Sequence, residues 1–199
     1  VGDSASMVVY GYENTIPITM DELLLITKAV SRGINKALII ADMPFMSYQP
    51  SVEEAIKNAG ALIKHGKANA IKIEGGIEYV QHISKIVQSG IPVMGHIGLK
   101  PQSILTDSGY KIHGKQTIDA VQIYKDPIAL EGAGVFAVVL EGIPVELAKI
   151  ITKKLNIPTI GIGAGKECDG QIQVFHDIIG LFHLKVPRHA KKYINNYQM

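Results

Sequence analysis

The chain has 199 residues, with 20 Lys+Arg against 18 Asp+Glu, and its formal charge of +2 is too small to mark a nucleic-acid or membrane-surface binder. Hydrophobic residues at 47% and charged residues at 19% fit a folded core rather than a disordered chain. No apolar run approaches the roughly 20 residues of a membrane helix, and the single Cys168 excludes an internal disulfide framework or a Cys-based zinc site and fits a reducing cytoplasm.

In chain order, Val1-Gly2-Asp3-Ser4 reads as the tail of a strand, and a chain that opens inside a strand end leads us to expect further sequence upstream. Thr19-Met20-Asp21-Glu22 is a capping box that starts a helix with Leu23, Leu24, Ile26 and Val30 on its apolar face and Gly33 as its stop. Residues 38–45 (LIIADMPF) read as a strand, and Ser51-Val52-Glu53-Glu54 opens a second helix that ends near His65-Gly66. A strand over 70–76 (AIKIEGG), a helix over 77–89 and a strand over 92–99 (PVMGHIGL) follow. The polar loop 109–115 sits where a lid or substrate loop would. Residues 116–132 have helical character but contain Pro127, so Asp126-Pro127 is expected to stop one helix and restart another. A strand over 135–144, a helix from Pro144-Val145-Glu146 to about Leu155, and strands over 158–165 and 171–179 complete the alternation. The basic stretch 185–192, with Arg188 and Lys191, reads as a solvated tail. No linker or charge run divides residues 1–199, which form one domain.

Alternating strands and helices predict a parallel α/β sheet, either an open doubly wound sheet or a (β/α)8 barrel, and the seven countable strands favour the barrel. Ionisable residues recur at the C-terminal sides of the strands: Asp3, Asp42, Lys72 with Glu74, His96, Glu141, and His176 with Asp177. In a barrel those ends converge on one mouth. Lys72 and Glu74 are two apart and share a strand face. A buried ion pair would explain them alone, but it does not explain acids at several strand ends. Carboxylates gathered in an apolar mouth repel one another and call for a cation. Oxygen donors with few His and no Cys partners favour Mg²⁺, with Mn²⁺ or Co²⁺ as substitutes, over zinc. The glycine run Gly161-Ile162-Gly163-Ala164-Gly165 lacks dinucleotide or P-loop spacing and reads as a close backbone approach.

Eight motifs in order carry a resemblance. They are V-G-D-S at 1–4, A-D-M-P-F at 41–45, K-I-E-G-G at 72–76, G-H-I-G-L at 95–99, S-G-Y-K at 108–111, V-L-E-G-I-P at 139–144, G-I-G-A-G at 161–165 and D-G-Q-I at 169–172. In this order and spacing the chain resembles the ketopantoate hydroxymethyltransferase family. The resemblance implies a (β/α)8 TIM barrel, here lacking its first strand–helix unit and some C-terminal helix, so that 1–199 is one barrel domain partial at both ends. It implies transfer of a one-carbon unit from 5,10-methylenetetrahydrofolate to 3-methyl-2-oxobutanoate, giving 2-dehydropantoate in pantothenate and coenzyme A synthesis. It also implies Mg²⁺ and a cytoplasmic homo-oligomer, a decamer, with small-molecule substrates and neither nucleic-acid nor membrane partners.

Carried over by position, Asp3, Asp42 and Glu74 match the metal acids, Asp3, Ser4, Asp42, Lys72 and His96 the substrate site, and Glu141 the catalytic base. The chain departs from the family pattern at Ala5-Ser6, at His113 in the lid-like loop, and at Pro127. Two other readings stay open: a Mg²⁺-dependent 2-oxoacid lyase of the phosphoenolpyruvate/pyruvate barrel type, which needs no folate, and a non-catalytic remnant of the family.

Overall fold

The computed structural model describes residues 1–106, 112–181, 187, 189–194 and 196. The S-G-Y-K motif at 108–111, with that part of the lid-like loop, and Lys185 and Arg188 of the basic stretch lie outside the described residues.

Among the described residues there are seven α-helices and six strands, which alternate from β1 to β5. The helices are α1 (Ala5–Val8), α2 (Met20–Gly33), α3 (Val52–Lys64), α4 (Val80–Gln88), α5 (Thr117–Ala133), α6 (Val145–Lys154) and α7 (Phe175–Ile178). The strands are β1 (Ile40–Asp42), β2 (Ala70–Glu74), β3 (Val93–Gly98), β4 (Ala137–Glu141), β5 (Thr159–Ile162) and β6 (Gly170–Gln171). The five strand-to-strand pairings are all parallel and the sheet runs β1-β2-β3-β4-β5-β6, with no point at which the order reverses among the described strands; one isolated antiparallel bridge joins Gly75 to His96.

That order has a packing consequence. Sequential right-handed crossovers lay every helix on the same face, whereas a doubly wound sheet reverses direction and covers both. The main core matches the first case: Ala41, Ile71, Ile73, Ile97, Val138 and Leu140 pack with Ala55, Ala59 and Leu62 of α3, Ile83 and Ile86 of α4, Leu130 of α5 and Ile151 of α6. The opposite face holds a second cluster built from strands and their flanks, with Met94, Ala137, Val139 and Ile162 packed by Ile40, Phe136 and Ile160. The fold is an α/β half-barrel with helices outside. Val1 extends it: Val1 N donates to the Ile40 carbonyl at 2.6 Å and its own carbonyl accepts from Asp42 N at 2.9 Å, the pattern of a parallel bridge to Ala41. The expected strand tail at 1–4 is this single bridged residue, and the chain turns into α1 directly after it.

Local signals set most boundaries. Thr19 and Glu22 form the reciprocal capping box, with Glu22 N donating to Thr19 Oγ1 at 3.3 Å and Thr19 N to Glu22 Oε2 at 2.8 Å. At α3 only half of the box is made, from Glu54 N to Ser51 Oγ at 3.1 Å. The helix expected over 77–89 begins as a 3₁₀ turn, Ile77–Tyr79, before α4.

Two expectations fail. Pro127 does not restart a helix, because α5 runs unbroken through it. Its ring is buried, and Asp126, the expected cap, instead accepts at Oδ1 from Ile77 N at 3.2 Å and Gln122 Nε2 at 2.7 Å. The proline forgoes one backbone bond inside a helix that tertiary packing holds together. The strand expected over 171–179 stops at Gln171, and the rest turns into α7. Gly170 and Gln171 pair with β5 and Ile172 N makes the last bond of the ladder, to the Gly161 carbonyl at 3.0 Å, so the apolar alternation beyond it has no ladder to continue. His176 and Asp177 therefore sit on a short helix, not at a strand end.

Candidate active site

The period-two geometry of a strand sorts the residues. Facing away from the helices are Ile40 and Asp42 on β1, Ala70, Lys72 and Glu74 on β2, Met94 and His96 on β3, Ala137, Val139 and Glu141 on β4, and Ile160 and Ile162 on β5. Along β1 to β4 the apolar residue comes first and the ionisable one last, while β5 contributes only isoleucines, so the inner face has an apolar floor and a charged rim over those four strands. Register aligns that rim, with Asp42 opposite Lys72 and Glu74 opposite His96.

Lys72 is the centre of the cluster. Its Nζ lies 2.6 Å from Asp42 Oδ1, 3.7 Å from Glu74 Oε1 and 2.8 Å from His96 Nδ1. On the other side of the ring, His96 Nε2 lies 3.1 Å from Glu141 Oε2. Asp3 joins from the loop before α1, its N donating to Asp42 Oδ2 at 3.2 Å. Ser4 lies beside them: a Cβ on Gly2 would come within 2.9 Å of Ser4 Oγ and 3.6 Å of Asp42 Oδ2. Gly98 sets the height of Glu141. Its φ is +91°, and a Cβ there would lie 2.2 Å from the Glu141 carbonyl oxygen, which accepts from Leu99 N at 2.8 Å.

The electrostatics follow from one ammonium among several carboxylates. Burial works against the Lys72 ammonium, but Asp42, Glu74 and Asp3 outweigh it and hold Lys72 above the usual lysine range. Burial likewise opposes ionised Glu74, and the Lys72 charge, helped by the Gln102 backbone N–H, reverses that, leaving the carboxyl below its ordinary value. Asp3 is the exception. Burial, then the charges of Asp42 and Glu74, push it well above the usual carboxylate range. Burial and Lys72 disfavour the His96 imidazolium, while Glu141 and Glu74 pull its pKa up to about 9. Geometry decides between these pulls. With Lys72 Nζ 2.8 Å away, Nδ1 must accept, since two donors cannot face each other. His96 is therefore neutral while Lys72 stays in place, and protonation of Nδ1 requires the ammonium to move.

Six of the sequence-predicted residues are brought into this cluster, namely Asp3, Asp42, Lys72, Glu74, His96 and Glu141, with Ser4 at its edge. His176 and Asp177 have no contact with it; Asp177 is raised by burial and moderated by His189 and His176. The glycine run closes on the protein itself: Gly165, at φ +82°, leaves no room for a Cβ, which would lie 2.6 Å from Val145 Cγ2.

Two buried residues escaped sequence reasoning. Gln102, 4% exposed, sits in a 3₁₀ turn, Pro101–Ser103, just past β3. Its Nε2 donates to Asp3 Oδ2 at 3.0 Å and to the Met43 carbonyl at 2.8 Å, and its N donates to Glu74 Oε2 at 3.1 Å. Tyr48, 1% exposed, has its hydroxyl 2.9 Å from the Glu74 carbonyl oxygen and 3.1 Å from Gln102 Oε1, its single proton shared between the two acceptors. A polar residue directly after the Leu99-Lys100-Pro101 strand exit was the available signal.

Among the described residues, no three His, Cys, Asp or Glu side chains close on one point as a metal-binding group. The donor chemistry nonetheless fits a hard cation. Asp42 Oδ1 and Glu74 Oε1 are buried and receive no hydrogen bond of normal geometry; Lys72 Nζ stands near both, and His96 Nδ1 lies 3.5 Å from Glu74 Oε1. With Asp3, the three acids carry more negative charge than one lysine balances.

The sequence model of a family described as ketopantoate hydroxymethyltransferase matches residues 1–199. A 3-methyl-2-oxobutanoate hydroxymethyltransferase of Dehalococcoides mccartyi strain CBDB1 is 55% identical over 193 residues, covering 97% of this chain and 69% of that protein. Proteins of the same name from Nitrosopumilus maritimus strain SCM1 and Clostridium botulinum strain Alaska E43 are 53% and 52% identical, each over 98% of this chain and over 70% and 71% of the relative.

Proposed function

The chain belongs to the ketopantoate hydroxymethyltransferase family, and from that premise we propose that it transfers a hydroxymethyl group to 3-methyl-2-oxobutanoate, with 5,10-methylenetetrahydrofolate as donor, to give 2-dehydropantoate. The observation that carries the reading is the chain of contacts from Asp42 through Lys72 and His96 to Glu141 on one rim. It sets a cation for a carboxylate and a base for a proton on opposite sides of one histidine. The relatives' shared name favours the transferase over the 2-oxoacid lyase, and the intact rim weighs against a remnant. We take the half-barrel as the larger part of a (β/α)8 barrel whose mouth is this rim.

Asp3, Asp42 and Glu74 would hold a divalent ion such as Mg²⁺, which when bound supplies positive charge beside the keto oxygen where the enolate develops. Lys72 pairs with the substrate carboxylate, and Ser4 lines the same side. Glu141 takes the C3 proton. An ordinary carboxylate, with a reference pKa of about 4.3, is a weak base for a carbon acid, and each pKa unit of mismatch costs about 1.4 kcal/mol, so enolate stabilisation is indispensable. When the substrate carboxylate draws the Lys72 ammonium from His96, Nδ1 can take a proton and His96 can hold charge against ionised Glu141. The C3 carbanion then forms the new C–C bond to the donor's methylene carbon, the donor's two C–N bonds break, one water supplies the hydroxyl, and the C3 proton and the remaining water proton end on the two released nitrogens.

The lone Cys168 is a buried free thiol, which suits a reducing cytoplasm. No helix among the described residues is long and apolar enough to cross a membrane. The homo-oligomer belongs to the proposal too, supported by the exposed apolar side chains of Val9, Tyr10 and Tyr12.

The test is proton NMR of 3-methyl-2-oxobutanoate in D₂O with the chain and Mg²⁺ but no folate. Loss of the C3–H signal that stops without Mg²⁺ is expected, and Glu141→Gln should slow it by about 10²-fold or more while substrate still binds. Unchanged exchange in that variant removes Glu141 from the role.

A further inference from the structure

Each of the three rim acids has one oxygen already engaged. Asp42 Oδ2 accepts from Asp3 N at 3.2 Å, Glu74 Oε2 from Gln102 N at 3.1 Å, and Asp3 Oδ2 from Gln102 Nε2 at 3.0 Å. The second oxygens of Asp42 and Glu74 are buried, take no hydrogen bond of normal geometry, and face the Lys72 ammonium at 2.6 and 3.7 Å. Gln102 thus holds two of the three acids at once, one through its backbone and one through its side chain.

The orientation of the Gln102 amide is set by its surroundings. Nε2 faces two acceptors, Asp3 Oδ2 and the Met43 carbonyl, while Oε1 receives the Tyr48 hydroxyl at 3.1 Å and Gln49 Nε2 at 3.4 Å. Turning the amide over would set its oxygen against a carboxylate and a carbonyl. Tyr48 is fixed in turn by donating to the Glu74 carbonyl and by packing edge-on to Tyr79, centroid to centroid 5.1 Å.

We infer that Gln102 is a positioning residue for the divalent cation: it pins one oxygen each of Asp3 and Glu74, Tyr48 locks the pin, and the second oxygen of each acid is left to serve as a ligand. This inference rests on the proposed cation site. Ligands held by outer hydrogen bonds keep one orientation without an entropic cost on binding, and loss of such a partner typically weakens metal affinity about 10–100-fold.

The experiment measures Mn²⁺ binding directly, by the electron paramagnetic resonance signal of free Mn²⁺ in titrations of the full chain, alongside the thermal midpoint without metal. Gln102→Met keeps the side-chain length and the backbone bond to Glu74 but removes the amide. It should raise the Mn²⁺ dissociation constant about 10-fold or more. Tyr48→Phe, which leaves the amide but frees it to turn, should give a smaller loss in the same direction, and it decides the matter if Gln102→Met does not fold. A lower midpoint with unchanged Mn²⁺ affinity in the folded variants overturns the inference, because it leaves Gln102 a purely structural role. If the unaltered chain itself fails to take up Mn²⁺, both the cation site and this inference fall; if it binds and the variants bind equally, only the inference does.

Discussion

Strand β2 reads Ala70-Ile71-Lys72-Ile73-Glu74, and its alternate residues live in two different media. Ile71 and Ile73 face helices and have only apolar neighbours to satisfy, whereas Lys72 and Glu74, a residue away, face a rim of opposing charges. The outer face is a packed interior where volume is the controlling quantity. The inner rim is largely buried, but a buried ionic network is weak evidence for stability, since apolar replacements of similar volume are often no worse. The difference teaches where each face keeps its value. Outer residues hold the fold, and rim residues hold a charge pattern that the fold alone has little reason to keep.

The sharpest way to break that contrast is Lys72→Met. Removing the one cation leaves Asp42, Glu74 and Asp3 unbalanced, and urea denaturation at neutral pH should show a loss of about 3–5 kcal/mol. The double variant Lys72→Met with Asp42→Asn should recover part of that loss while remaining unable to exchange the C3 proton. Failure to recover would mean that the rim contributes to stability as the outer face does. Next in size, Leu140→Ala on the outer face should cost about 2–5 kcal/mol through lost burial and the cavity left behind, while the folded fraction keeps its proton-exchange rate. A changed rate there would show that the two faces are not independent.

The smallest effect concerns a carboxylate in water. Hydrogen bonds from the Thr19 backbone and hydroxyl hold Glu22 below its usual value. Its contribution to stability is present above the unfolded carboxylate pKa and lost as pH falls through the folded one. Glu22→Gln should therefore flatten the acid side of the stability profile slightly and leave activity unchanged, as thermal unfolding across pH would record.

Much of this was legible because the signals are local. A capping box spans four residues, and the recurrence of Asp42, Glu74, His96 and Glu141 at strand exits needs only a period of two and a shared direction. What escaped depends on residues far apart in sequence. Pro127 reads as a break until Asp126 is seen serving Ile77, 49 positions earlier. Gln102 carries no charge to announce it, and its partners Asp3, Met43 and Glu74 converge only in the folded chain. The alternation of Ile172 and Val174 with Gln171 and Gln173 imitates a strand, and only the scarcity of partners on β5 reveals that it is not one.

The unbroken strand order bears on how the chain assembles. Each strand pairs with the next one along the chain, so no ladder has to wait for a distant segment to arrive. Loop-closure entropy grows only slowly with length, and every closure here spans a single crossover, so successive pairings start from similar costs. The sheet can grow by propagation from any adjacent pair, as a repeat array does. The rim gathers side chains from four neighbouring strands, so it is whole only once three such pairings are in place.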